Sequence, residues 1–246
     1  MNIKYSFILT TFAGLSTLIG FLTIFLKTKK QDTIITSALA FASGIMISAS
    51  FFDLIVESFD YYKDSLNTFI IILLIGIFFS IGILLSNFMN KNINPNGNNL
   101  YKVGITSMLA IIIHNIPEGI ITFLTSFQNP HLGLHLAIAI SLHNIPEGIA
   151  IALPIYYSTK NKKKALLFTI IAALSEPLGA LLAFLFLKNF ITNILIASLL
   201  SLIAGIMTNI ALYELLPESL SYNKKLLSII SFLIGLIFMY ITVNVL

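Results

Sequence analysis

Eight uninterrupted apolar blocks set the limits on what this chain can become. They run about Tyr5–Leu26, Thr33–Phe59, Leu66–Phe88, Val103–Phe127, Leu132–Tyr157, Ala165–Leu187, Ile191–Leu216 and Leu226–Leu246. A bilayer's hydrocarbon core, about 30 Å thick, takes roughly 20 apolar residues in a helix to cross. Lipid offers no hydrogen-bond partners, so a spanning segment must satisfy its own backbone, and unbroken apolar runs of this length do so as helices. The expected fold class is therefore all-α integral membrane, with eight transmembrane helices. The joints are short and carry Lys, Asn, Asp, Gly or Pro, which leaves no room for a soluble domain. Residues 1–246 are expected to form a single transmembrane domain. No A-x-A site follows the first block, which reads as a span rather than a cleavable leader.

Only 10% of the residues are charged. A soluble domain carries roughly 25%. The net charge of +4 comes from fourteen Lys against ten Asp and Glu, with no Arg. Arg is the usual residue for bidentate phosphate and base recognition, so no nucleic-acid partner is expected. The chain has no Cys, which excludes disulfides, thiolate metal sites and a Cys nucleophile. Any metal would have to be held by His, Asn, Asp or Glu. With eight spans, alternate loops share a side. One set holds Lys27, Lys29, Lys30, Lys91, Lys102, Lys160, Lys162, Lys163, Lys164, Lys224 and Lys225; the other side has Lys4, Lys63 and Lys188. Lysine-rich loops stay in the cytosol, so both termini are expected outside a cytoplasmic membrane. The cluster around Lys160 reads most simply as a solvated loop.

Two repeats run through the chain. His114-Asn115-Ile116-Pro117-Glu118-Gly119-Ile120 in the fourth block returns as His143-Asn144-Ile145-Pro146-Glu147-Gly148-Ile149 in the fifth. The second block reads Gly44-Ile45-Met46, then Asp53-Leu54 and Glu57-Ser58. The seventh reads Gly205-Ile206-Met207, then Glu214-Leu215 and Glu218-Ser219, at a constant offset of 161 residues. These two spans run in opposite directions, and related segments of opposite direction indicate an inverted repeat, a common transporter plan.

On a helix, residues three and four apart share a face. His114, Asn115 and Glu118 therefore point one way, as do His143, Asn144 and Glu147. Pro117 and Pro146 each remove a helical hydrogen bond and free the carbonyls of Ile113 and Leu142, so a break is expected at each motif. The Gly after each Glu lets another backbone or an ion come close. Two imidazoles, two carboxylates and two amides suit divalent ions such as Zn²⁺, Fe²⁺ and Mn²⁺. Six donors exceed one tetrahedral zinc, so they would serve two ions bridged by the glutamates or one ion with alternative ligands. Asp53, Glu118, Glu147, Glu176 and Glu214 fall inside apolar blocks, where no Lys lies deep. Each such acid costs about 2.5–3.5 kcal/mol at the bilayer centre, so protons or metal ions must neutralise them. Glu176, in Ser175-Glu176-Pro177-Leu178-Gly179, is a candidate ligand or proton acceptor. Met46, and less so Met207, could touch a passing ion, although Met in an apolar helix usually packs. Asp53 reads as an outer-mouth acid and Glu214 as an inner-mouth acid, each near a span end with Glu57 or Glu218. His131 and His135 flank an external turn, where a solvated loop is the plainer reading and metal capture the sharper one.

These residues resemble the ZIP (Zrt/Irt-like protein) family of divalent-metal transporters, in its bacterial ZupT-like branch. The resemblance runs from Ala13-Gly14-Leu15-Ser16-Thr17 through both H-N-I-P-E-G motifs and Ser175-Glu176-Pro177-Leu178-Gly179 to Glu214-Leu215-Leu216-Pro217-Glu218. It implies a 3+2+3 arrangement, with spans 4 and 5 between inverted repeats of spans 1–3 and 6–8. It implies import of Zn²⁺, and often Fe²⁺, Mn²⁺, Co²⁺ or Cd²⁺, as transported substrate with no prosthetic group, commonly by a homodimer. It also implies a binuclear centre: His114, Glu118, His143 and Glu147 at one ion, and Asn115, Asn144 and Glu176 at the other, with the two Glu bridging. The loop from Met89 to Leu100 lacks the histidines that many eukaryotic relatives carry there. Movement of spans 1, 4, 5 and 6 against the rest would give alternating access. The rivals are a selective channel and, further off, an intramembrane zinc hydrolase. The hydrolase motif H-E-x-x-H carries a general-base Glu between its histidines, and here Asn follows each His instead.

Overall fold

The computed structural model describes residues 3–26, 31–92, 99–186 and 192–245. Eight helices are long and apolar enough to cross a membrane: α1 (Ile3–Phe25), α2 (Gln31–Lys63), α3 (Thr68–Lys91), α4 (Leu100–Gln128), α5 (Pro130–Thr159), α6 (Lys162–Leu185), α7 (Asn193–Ser221) and α8 (Lys225–Val245). No strand occurs among the described residues. The protein is an all-α, multi-pass membrane protein. Lys27, Lys29, Lys30 and Lys188 lie outside the described residues, as does most of the stretch between Met89 and Leu100.

Local chemistry accounts for the sharpest joints. Asn129 caps α5, its side chain accepting from the backbone N–H of His131 (3.1 Å) and Leu132 (3.2 Å), with Pro130 in the first turn where no donor is needed. Lys160 ends α5 at φ 54°, and Asn161 at once caps α6 by accepting from Lys164 N–H at 3.0 Å. The α4–α5 and α5–α6 joints are thus one and two residues long, which forces α4, α5 and α6 to run antiparallel.

Packing divides the helices into two groups. In one, α1 lies along α5, α4 lies along both α5 and α6, and α1 also meets α4 and α6. In the other, α2 lies along α8, α3 lies along α7, and α2 meets α7. The groups touch chiefly where α2 meets α5 and α4 meets α7. Each contact has a counterpart: α1 with α5 mirrors α6 with α4, α2 with α8 mirrors α7 with α3, and α2 with α5 mirrors α7 with α4. That is the pattern an inverted repeat of α1–α3 and α6–α8 produces around a central pair. Burial follows it. In the most apolar stretches of α5 and α7, 67% of residues are inside the protein, against 11% in α3, whose large apolar side chains face outward as lipid requires.

Two expectations are corrected. The helix runs unbroken through Pro117 and Pro146, because a single missing bond inside a 29- or 30-residue helix bends it without ending it. The interruption falls instead at Leu174 in α6, where Pro177 has no N–H to offer Ala173. Asp53 and Glu214, expected near span ends, also lie farther inside than the apolar blocks indicate, because their helices run on beyond those blocks. Both sit in π-helical turns, Ser50–Leu54 and Ala211–Leu215, inside helices that continue to Lys63 and Ser221. The helices outrun their apolar cores because polar contacts extend them: Ser58 bonds the carbonyl of Ala197 (2.8 Å) and Ser201 Oγ (2.7 Å), and Tyr62 bonds Ser198 (2.7 Å).

Candidate metal centre

Antiparallel α4 and α5 bring the two copies of the motif together at mid-helix. His114 Nε2 lies 3.2 Å from Glu118 Oε1, one helical turn along α4. His143 Nε2, from α5, lies 2.9 Å from the same oxygen. Glu147 Oε1 lies 3.6 Å from His114 Nε2. The two imidazole rings are 6.3 Å apart. Ligand atoms of His114, Glu118 and His143 all fall within 4.8 Å of one another, close enough for one ion to reach all three.

Asn144 and Glu176 meet each other beside this cluster, whereas Asn115 is buried with no hydrogen bond to either. Asn144 Nδ2 donates to the carbonyl of Ala13 on α1 (2.9 Å) and to Glu176 Oε1 on α6. The break at Leu174 directs the Ser175–Glu176 turn inward, and Glu176 is fully buried. The glycines that follow each motif Glu make this close approach possible. A Cβ on Gly119 would meet the carbonyl oxygen of Glu176, and one on Gly148 the carbonyl oxygen of Thr17. Of the sequence's two options for these glycines, close approach of a backbone is the one the packing uses.

All seven residues are buried, and many of their polar atoms have no hydrogen-bond partner among the described residues. These are His114 Nδ1, His143 Nδ1, both side-chain atoms of Asn115, Asn144 Oδ1, and the Oε2 atoms of Glu118, Glu147 and Glu176. Buried polar atoms are rarely left unpaired, since each costs on the order of 1–3 kcal/mol. No described lysine is buried to neutralise the carboxylates. Donors of this kind, unpaired and anionic in sum, are what a dehydrated divalent cation needs.

Two cavities approach the cluster from opposite ends of the bundle. One, of about 360 Å³, is lined by Asp53, Glu57, His135 and Ala139 and reaches His143. The other, of about 270 Å³, is lined by Lys102, Val103, Glu214 and Glu218 and by no motif residue. Glu214 is held there by the Thr106 hydroxyl of α4. Asp53 and Glu214, equivalent in the repeat, thus line opposite cavities rather than the motif cluster. Met46 and Met207 are buried in the large apolar cluster of α2 and α7. The sequence reading missed Thr106, which carries no motif. It also missed a further repeat: Ala13, Leu15, Ser16 and Gly20 recur as Ala172, Leu174, Ser175 and Gly179, which makes Thr17 the counterpart of Glu176.

A helical membrane protein that gathers imidazoles and unneutralised acids at its centre, reached by a cavity from one end, falls in the class of multi-pass proteins with a polar, ligand-rich interior. Comparison with known proteins narrows the class. A family model described as ZIP zinc transporter matches residues 90–242. The chain is 37% identical over 262 residues to the zinc transporter ZupT of Lysinibacillus sphaericus, covering 98% of this chain and 97% of that protein. It is 35% identical to the zinc transporter ZupT of Campylobacter jejuni, over 100% of this chain and 97% of that one. The same name and the same identity apply in Clostridium perfringens, over 98% and 95%. The chain belongs to the ZIP family, with ZupT-like relatives along its whole length.

Proposed function

We propose that this protein imports Zn²⁺ across the cytoplasmic membrane into the cytosol, through the cluster of His114, Asn115, Glu118, His143, Asn144, Glu147 and Glu176 between α4, α5 and α6. The observation that carries the reading is the meeting of the two motif copies in one buried, unneutralised cluster that a cavity reaches at His143. The relatives' names supply the metal. Fe²⁺, Mn²⁺, Co²⁺ and Cd²⁺ are further substrates that imidazole and carboxylate donors accept. Two ions fit the donor count, one among His114, Glu118, His143 and Glu147, the other among Asn115, Asn144 and Glu176, with the two glutamates between. Zinc is substrate throughout; the reading needs no prosthetic group and no catalysis.

The whole chain acts as one transport unit, and lysine bias sets its orientation. Both termini and the His135 end face outside, and the Glu214 end faces the cytosol. Asp53 is then the outer acid and Glu214 the inner one, with Met46 beside the path. The unit pairs as a homodimer in the membrane. An ion sheds its water in the outer cavity, binds between α4 and α5, and leaves inward when the α1, α4, α5, α6 group shifts against the other. Of these two cavities the outer one reaches His143 and the inner one touches no motif residue, which favours a carrier over a channel, because a channel needs both ends open at once.

The test is uptake of labelled zinc into proteoliposomes holding the intact chain. Uptake that saturates with zinc concentration is expected. Flux that stays linear would replace the carrier by a channel, and absence of flux for every divalent metal tried would remove the transport reading.

A further inference from the structure

The chain has four histidines, and all of them lie on α4 and α5. Two belong to the motifs. The other two, His131 and His135, stand one turn apart in the first two turns of α5, exposed, with ring centroids 4.5 Å apart. A pair of histidines at i and i+4 on a helix presents two nitrogens to one ion, an arrangement that chelates transition metals. The helical start that fixes this spacing is itself well anchored, by Asn129 and Pro130.

Their position is what gives the pair a task. His135 lines the cavity of about 360 Å³ that also touches His143, eight residues and about two turns further along the same helix. Between the two, α5 lines the cavity with Leu136, Ala139 and Ile140, none of them a metal ligand, and α2 supplies Asp53 and Glu57. The cavity wall thus carries the His135 imidazole, two carboxylates and the imidazole of the buried cluster, with exposed His131 one turn before His135 on the same helix.

We propose that His131 and His135 form an external capture site for imidazole-preferring divalent cations, which passes its ion by way of Glu57 and Asp53 to His143. The proposal rests on the transport reading for its direction and goes beyond it in naming the point of entry. Imidazole selects Zn²⁺, Cu²⁺, Ni²⁺ and Fe²⁺ over Mg²⁺ and Ca²⁺, which take oxygen ligands. The site thus screens out the abundant hard cations before they meet the carboxylates. The pair sits at the partly positive N-terminal end of α5, which weakens its hold on a cation and suits a site that must release what it catches.

Two measurements on the full chain test this. The first needs no transport: modification of each histidine by diethyl pyrocarbonate, read by mass spectrometry, with and without Zn²⁺. Zinc is expected to protect His131 and His135 together, Mg²⁺ and Ca²⁺ are not, and His131→Ala is expected to abolish protection of His135. Equal modification with and without zinc would overturn the site even if the protein transports. The second is zinc uptake by His131→Ala/His135→Ala. Loss of a group that merely supports a metal ligand commonly costs roughly tenfold or more in affinity, so uptake at low zinc should fall about tenfold, the deficit closing as zinc rises. Curves that superimpose on the intact protein's would overturn the capture role. Absence of uptake by the intact protein would count against the transport reading, and the protection result would still decide the site.

Discussion

Glu118 joins the two motif copies, its Oε1 lying within 3.2 Å of His114 Nε2 and 2.9 Å of His143 Nε2. Removing it takes away the bridge and leaves two buried imidazoles facing each other. Glu118→Ala should lower zinc affinity by at least roughly tenfold, since even a ligand's hydrogen-bond partner is worth that much; titration of the detergent-solubilised protein reads it. Acid should act in the same direction. Zinc binds neutral imidazole and ionised carboxylate, so each ion bound displaces protons, and falling pH should weaken uptake without altering the fold. Initial uptake rates across a pH series at fixed low zinc check this, and a rate that rises as pH falls would contradict it. Much of this cluster was legible beforehand, because helical periodicity alone puts His114, Asn115 and Glu118 on one face. The contact between Asn144 and Glu176 was not, since it depends on how α5 and α6 approach each other. Thr17 escaped because its side of the repeat carries Thr-Leu where the other carries Glu-Pro, hiding a match that Ala, Leu, Ser and Gly still show.

Helices in this bundle touch backbone to backbone at several glycines. Gly148 lies against the carbonyl of Thr17 and Gly119 against that of Glu176, so a methyl group at either position has nowhere to go unless two helices separate. Gly148→Ala should destabilise the protein by about 1–3 kcal/mol, the usual cost of overpacking. Gly76 on α3 has open space around it, so Gly76→Ala should leave the melting temperature unchanged or slightly raised. Thermal unfolding in detergent, followed by helical circular dichroism, separates the two. The existence and order of the eight helices could be read from apolar length, which lipid imposes directly. Their ends could not. Ser58 and Tyr62 continue α2 through hydrogen bonds to α7, and no hydropathy signal announces those. The π-helical turns at Asp53 and Glu214 were equally silent, although the acids they carry had been picked out by their shared offset. Such turns gather at functional sites, where the extra residue re-aims a side chain.

At the scale of the molecule, two groups of four helices meet along α2 with α5 and α4 with α7. Under the proposed carrier cycle that second contact opens, and Thr106 and Glu214 hydrogen-bond across it. A disulfide between Thr106→Cys and Glu214→Cys should therefore stop uptake, and reducing it should restore whatever the dithiol form supports. A disulfide between Ser58→Cys and Ser201→Cys, which ties α2 to α7 inside one group, should leave uptake equal in oxidised and reduced protein. The chain's lack of native cysteine makes both comparisons clean. The sequence alone reached the inverted repeat through α2 and α7, but the division into moving groups came from family resemblance. Contacts between helices distant in sequence leave no periodic trace in either partner. The central claim is that the paired motifs form the binding site for the transported ion. It is tested most directly by labelled zinc uptake into proteoliposomes holding the intact chain or Glu118→Ala/Glu147→Ala, each checked for folding by its melting temperature. Saturable uptake by the intact chain and none by the folded double variant is the expected result; equal uptake by both would contradict the account.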